Sequence, residues 1–182
     1  GRLDEALTIF RRLCAEETVD FDGRWYRLAA AVFDPKPVHA TGIPVLVGGS
    51  GDRLKHIAAR HATMFNSFSP PWEWAAVNTD LDARLAAAGR SPADLERTAY
   101  VFAELSGKRE RDDTLVAMFR HSRGGTDEQV RRRVLIGDPD TMIATLRGYA
   151  DAGVQTVIIN LRPPYHTQNL HAFARDVMPA LQ

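Results

Sequence analysis

Cysteine is nearly absent from this chain. The single Cys14 excludes an internal disulfide framework, and its place in an amphipathic stretch marks it for packing rather than chemistry. No excess of charge of either sign exists: 23 basic residues balance 23 acidic ones, which removes the electrostatic case for nucleic acid or an anionic membrane as partner. A run of about 18 apolar residues and a signal-peptide pattern are both missing, so a cytoplasmic location is expected. The nucleotide-binding patterns G-x-x-x-x-G-K-[ST] and G-x-G-x-x-G do not occur, and neither does a periodic repeat or a low-complexity linker. The six histidines are scattered; His56 and His61, five apart on one helical stretch, point in different directions. No metal centre is expected, no Ser/His/Asp arrangement can be argued from spacing, and the catalytic residue is unassigned. The chain opens Gly1-Arg2-Leu3-Asp4 without an initiator Met and enters a helical pattern at once, which reads as an internal starting point.

What is present is a chain of 182 residues, 45% hydrophobic, enough for one domain spanning 1–182 with a substantial core. Its most informative stretch runs from Ile43 through Val45-Leu46-Val47 to Gly48-Gly49-Ser50-Gly51 and then Asp52-Arg53-Leu54-Lys55. The unbroken apolar run predicts a strand buried on both faces, as in a parallel sheet covered by helices. Glycines end it and leave amides bare of side chains. The helix predicted over 52–61 begins there with unpartnered N–H groups and a positive dipole end, so the turn is a candidate anion site, most naturally for phosphate. Short strand-to-helix turns also use glycine for geometry alone, and the turn by itself leaves both readings open.

The rest of the chain alternates strands and helices. An amphipathic helix is predicted over 3–16, a hairpin-like excursion around Asp22-Gly23 within 19–37, and a brief strand at 63–67. A long helix runs from Trp72 to about Gly89, with a helical turn opened by Ser91-Pro92. A strand is expected over 98–105, a charged loop over 108–113, a helix from Thr114 to His121, and a helix start at Thr126. Arg131-Arg132-Arg133 reads as a solvated face. Asp138-Pro139 begins another helix, Gln155–Leu161 is the fourth strand, and a closing helix follows. Four strands joined by long crossovers predict parallel pairing and a (β/α)4 unit.

Four segments in order resemble the bacterial luciferase-like monooxygenase superfamily, flavin- or deazaflavin-dependent oxidoreductases built on a (β/α)8 TIM barrel. They are the helix from Arg2 to Leu13 leading into Phe21-Asp22-Gly23-Arg24-Trp25-Tyr26; Pro35-Lys36-Pro37-Val38; Ile43 to Gly51; and Gly137-Asp138-Pro139-Asp140 through Ala152-Gly153-Val154. The resemblance spans nearly the whole chain but only the C-terminal half of such a barrel, strands five to eight. Where the family often reads Ala-Asp-Gly-Trp-Asn, this chain has Ala62-Thr63-Met64-Phe65-Asn66, without the acidic residue and the Trp.

By that resemblance Gly48, Gly49, Ser50 and Gly51 would hold the phosphate of the cofactor, FMN or the deazaflavin coenzyme F420, with Asn66 also on the cofactor. Glu104, Asn160 and Arg162, at or just past strand ends, would face a small organic substrate. Each of these last residues is equally accounted for by a cap or a loop hydrogen bond. A second reading, a non-catalytic half-barrel, expects a homodimer or a complementing half-barrel partner to cover the bare strand edges and the concave side chains of Val45, Val47, Val101 and Ile158. A third is a phosphate-binding open doubly wound sheet, against which the excursion at 19–37 argues.

Overall fold

The computed structural model describes residues 1–39 and 42–181. The chain divides into two compact units: residues 1–65 with 81–95, and residues 66–80 with the chain from 96 onward.

In the first unit, α1 (Arg2–Ala15) buries only Ile9 fully and carries Asp4 and Glu5 in its first turn, where carboxylates complement the helix dipole. Both acids have structural partners. The Glu5 carboxylate accepts the backbone N–H groups of Arg24, Trp25 and Tyr26 at 3.0, 2.9 and 3.1 Å. Those amides belong to the turn between β1 (Val19–Asp22) and β2 (Arg27–Ala31), an antiparallel pair with a bulge between Val19 and Phe21. Asp4 meets Arg60 at 2.9 Å and His61 at 2.8 Å, which ties α1 to the end of α2 (Asp52–His61). Burial acts most strongly on the Asp4 carboxyl and pushes it up, but the His61 bond and the Arg60 charge outweigh it and hold the carboxyl below its ordinary value.

The strand expected to be buried on both faces is corrected here. β3 is only Leu46–Gly48, and of its residues Val47 alone is buried; Leu46 and Ile43 are exposed. β3 stands at one end of the sheet, whose order is β3-β4-β5-β6, with β4 (Met64–Ser67), β5 (Glu96–Ala103) and β6 (Thr156–Leu161), and with three residues it is too short for the continuous burial that the apolar run suggested. The order follows the sequence, and each connection carries a helix, as parallel neighbours require. At its start β4 docks on β3 through the Val45 carbonyl, which accepts from Thr63 and Met64 at 2.9 and 3.1 Å.

In the second unit, α3 (Trp74–Ala87), which runs on into the first unit, starts after a short 3-10 turn, and its Trp74 is fully buried with the indole donating to the Ser69 carbonyl. β5 and β6 pair in parallel over six residues, Thr98 opposite Thr156 through Ala103 opposite Leu161. Strand pleating sends alternate residues to opposite faces. Val101 and Ala103 join Leu135, Met142, Leu146 and Val177 in a core under α6 (Pro139–Asp151), with Val157, Ile159 and Leu161 beside them. Tyr100, Phe102, Ile158 and Asn160 therefore share the other face. Val101 and Ile158, expected together on one concave face, lie on opposite faces, because Val101 stands in register with Ile159.

The charged stretch expected as a loop over 108–113 is also corrected: α4 (Arg109–Arg123) begins there, with Glu110 and Asp112 in its favourable first turn and Asp112, Leu115 and Val116 on the buried stripe. It packs with α5 (Asp127–Arg131), opened by a capping box in which Thr126 and Gln129 satisfy each other's backbone amides. Leu135 then forms a single parallel bridge to Ala103 at the end of β5. Asp138 caps α6 by accepting from the Thr141 N–H at 2.8 Å, and α7 (Thr167–Asp176) follows β6. The arginine run lies at the surface, with Arg132 and Arg133 exposed, and it carries partners there: Arg131 pairs with Asp113, Arg133 with Glu73 at 2.6 Å, and Arg132 lies over the ring of Trp72.

Candidate active site

The glycine turn lies between β3 and α2 in the first unit. Gly49 has φ +141, in the region closed to most side chains, and a Cβ there would meet the Leu54 Cδ1 at 2.4 Å. Gly51 differs. Its backbone is ordinary, φ −78 and ψ 147, and it sits at the N-cap of α2 with nothing within 4 Å of an added Cβ. Its carbonyl accepts from Leu54 and Lys55 at 3.0 and 3.2 Å, while no side chain caps the helix. The Ser50 hydroxyl is exposed and has no partner among the described residues. Bare amides at a helix N-terminus, a free hydroxyl and an unfilled space where a side chain would stand fit a phosphate group.

The second unit holds the remaining sequence candidates. Asn66 is buried within β4. Asn160 donates from Nδ2 to the Tyr100 oxygen on the neighbouring strand, so that phenol keeps its own proton for a further acceptor. Around Tyr100 stands an aromatic wall: Phe68 meets it edge to face at 4.8 Å, Phe102 lies 5.6 Å from it, and Phe119 lies 5.5 Å from Phe102.

Past the ends of β5 and β6, Glu104 and Arg162 line one small cavity with Arg111, Tyr165 and His166. Arg111 connects the group, donating from Nε to Glu104 Oε2 and lying 2.9 Å through Nη1 from His166 Nε2. Facing an arginine donor, that nitrogen can only accept, which places the imidazole proton on Nδ1. Burial is the strongest influence on Glu104 and pushes its carboxyl up, yet Arg111 and the Ser106 amide together hold it below the ordinary value. Deeper in α4, burial first and the Glu104 charge second raise the Asp112 carboxyl, whose Oδ1 has no hydrogen-bond partner.

The structure thus gathers Glu104 with Arg162 and sets Asn160 on the face of Tyr100. Sequence reasoning missed Tyr100, Arg111, His166 and the aromatic wall. The pairings of Tyr100 with Asn160 and of Arg111 with His166 join positions 60 and 55 residues apart, a separation no motif spans. The alternation Tyr100, Phe102, Glu104 was the available signal, masked by the apolar residues between. Among the described residues no group of three His, Cys, Asp or Glu side chains is placed to hold a metal ion, and no helix is long and apolar enough to cross a membrane.

Residues 1–122 match the family of luciferase-like monooxygenases, and the chain belongs to that family. The F420-dependent glucose-6-phosphate dehydrogenase of Intrasporangium calvum is 28% identical over 206 residues, covering 100% of this chain and 61% of that protein. Among solved structures, an F420-dependent secondary alcohol dehydrogenase in complex with an F420-acetone adduct superposes with a TM-score of 0.83 at 16% identity, over 98% of this chain and 60% of the other. The coenzyme F420 dependent tetrahydromethanopterin reductase from Methanopyrus kandleri gives 0.76 at 16% identity, over 99% and 63%. The fold is that of the luciferase-like TIM-barrel enzymes, and the chain spans about three fifths of the length of the relatives it matches.

Proposed function

We propose that this chain is the C-terminal barrel half of a cytoplasmic oxidoreductase that uses a deazaflavin of the F420 type, with FMN as the alternative cofactor. The observation that carries the reading is the Gly48–Gly51 turn: open space at Gly51, an unpartnered Ser50 hydroxyl and uncapped helix amides, in a chain whose relatives are F420-dependent enzymes. The amides of that turn hold the cofactor's phosphate. Asn66 serves the ring. When bound, such a cofactor supplies hydride transfer with the substrate carbon. The protein's part is orientation and exclusion of water: Tyr100, its proton left free by Asn160, donates to a substrate oxygen. Phe68 and Phe102 form an apolar wall beside it, while Arg111 holds Glu104 ionised and His166 in one tautomer beside Arg162.

The test is titration of F420 and of FMN into the purified chain, followed by cofactor fluorescence, against the variant Gly51→Thr. Threonine caps helices about as well as glycine, so stability is expected to hold within about 0.5 kcal/mol. Its side chain fills the phosphate space, and affinity is expected to fall at least about tenfold. Failure of both cofactors to saturate the wild-type chain, or equal binding by Gly51→Thr, overturns the reading.

A second reading has its own observation. Beside β6, at the opposite end of the sheet order from β3, Val157, Ile159, Phe173, Met178 and Leu181 line an apolar groove of about 690 Å³. That favours a second copy or a complementing half-barrel as cover. A monodisperse monomer by light scattering at micromolar concentration counts against it.

A further inference from the structure

Arg123 and Arg132 stand apart from the arginines near them. Arg120, Arg131 and Arg133 pair with Asp127, Asp113 and Glu73, whereas Arg123 and Arg132 meet no carboxylate among the described residues. Their company is aromatic. The Arg123 guanidinium lies 4.5 Å from the ring centre of Phe68 and 5.3 Å from that of Phe119; Arg132 lies 4.6 Å from that of Trp72. Neither guanidinium has a hydrogen-bond or ion-pair partner among the described residues, so the N–H fork of each is left to grip a carboxylate with two parallel bonds.

Both forks border one cavity of about 500 Å³, a volume suited to a small organic ligand. Its rim includes Gly124 and Gly125, with φ +75 and +97, and an added Cβ at Gly124 would meet nothing within 4 Å. Phe68 belongs both to this cavity and to the wall beside Tyr100, and Phe102 continues the wall to Phe119. A continuous apolar surface therefore leads from the Tyr100–Asn160 pair to two unpaired cations.

We propose that this cavity receives the carboxylate of the substrate, and that the substrate is a hydrophobic organic acid. Its aromatic or extended apolar body lies along Phe68 and Phe102, and its carboxylate sits in the forks of Arg123 and Arg132. This deepens the oxidoreductase reading above and rests on it. A sugar phosphate suits the cavity poorly. Among the neutral side chains on its lining the one acceptor, the Gln129 oxygen, is already engaged with the Thr126 amide at 2.9 Å, which leaves donors from the Gln129 amide and the Trp72 indole but no free side-chain acceptor for the O–H groups of a sugar.

Calorimetric titration with 2-naphthoate, the uncharged 2-naphthamide and glucose 6-phosphate tests it, using the wild-type chain, Arg123→Gln and Arg132→Gln. The naphthoate is expected to saturate. Each variant should weaken it about tenfold or more, the loss of one charged hydrogen-bonding partner, and leave the amide unchanged. Both arginines are exposed, so both variants should melt as the wild type does in far-UV circular dichroism. Should either unfold, a salt series on the wild type replaces it, with the naphthoate weakening as ionic strength rises and the amide indifferent. Equal affinity for acid and amide, indifference to both variants, no saturation, or tighter binding of glucose 6-phosphate overturns the proposal. F420 titrated into the same samples separates the two readings. Cofactor binding without naphthoate binding removes this site and leaves the oxidoreductase, and naphthoate binding without cofactor binding does the reverse.

Discussion

Replacing Arg111 by methionine keeps the length and apolar stem of the side chain and deletes its charge. In the folded chain Arg111 has a side-chain exposure of 29% and Glu104 one of 15%, so their 2.9 Å ion pair is only partly screened by water. Loss of the arginine leaves Glu104 with the Ser106 amide at 3.0 Å and leaves the His166 ring nitrogen without its donor. A hydrogen bond to a charged group contributes about 1.5–3 kcal/mol, and stranding a largely buried carboxylate costs at the upper end of that range. The expected loss at pH 7 is therefore about 2–3 kcal/mol, read by urea denaturation followed by circular dichroism. The pH dependence fixes the cause. Glu104 is held below its ordinary value of 4.5, so the stabilisation it supplies is complete above that value and is lost as pH falls through the lowered one. Without Arg111, burial, the strongest single influence, is left to raise the carboxyl instead. The gap between wild type and variant should thus narrow from pH 7 toward pH 3. A gap no larger than about 0.5 kcal/mol at pH 7, the level of an exposed pair, or one that does not change with pH, refutes the reasoning.

Other outcomes follow from the same geometry. Leu135→Ala should destabilise the chain by about 2–5 kcal/mol in the same denaturation assay, because Leu135 is fully buried under α6. Thr126→Ala removes one half of the capping box of α5 and should cost about 1 kcal/mol, with faster amide exchange confined to residues 127–131. Asp4→Asn should lower stability at neutral pH and cease to matter in acid, since the native Asp4 carboxyl is held below its ordinary value and its contribution disappears as pH falls through that lowered value. In ultraviolet titration Tyr149, raised by burial to about 12, should ionise last, and the stability tied to its neutral form should erode as pH climbs from 10 through 12.

Local signals carried much of the fold. The 52–61 helix and the start of α6 at Asp138-Pro139 sit where glycine, cap and proline chemistry placed them, because each boundary is decided within one turn. Parallel pairing followed from crossover length, and the sequential strand order from the barrel resemblance. Register was not legible. In Thr98–Leu105 apolar residues occupy both faces, so nothing in the chain said that Val101 packs under helices while Tyr100 does not; that needed the partner strand. The charges of Arg109–Asp113 looked like a loop because the close partners of Arg111 and Asp113 are Glu104 and Arg131, residues outside the window. The glycine turn was legible because it is contiguous. The Tyr100–Asn160 and Arg111–His166 pairs were not, being products of strand pairing and loop closure.

The two-sided character of β5 also bears on how such a chain can change. Positions 101 and 103 are tied to the interior under α6, and Phe102 packs against a second buried cluster around Val116 and Val134, whereas Tyr100 carries a ring whose exchange alters what can lie against it without emptying either. A lineage, or a directed library, confined to codon 100 of this strand is free to explore new ligands while its folding machinery stays still.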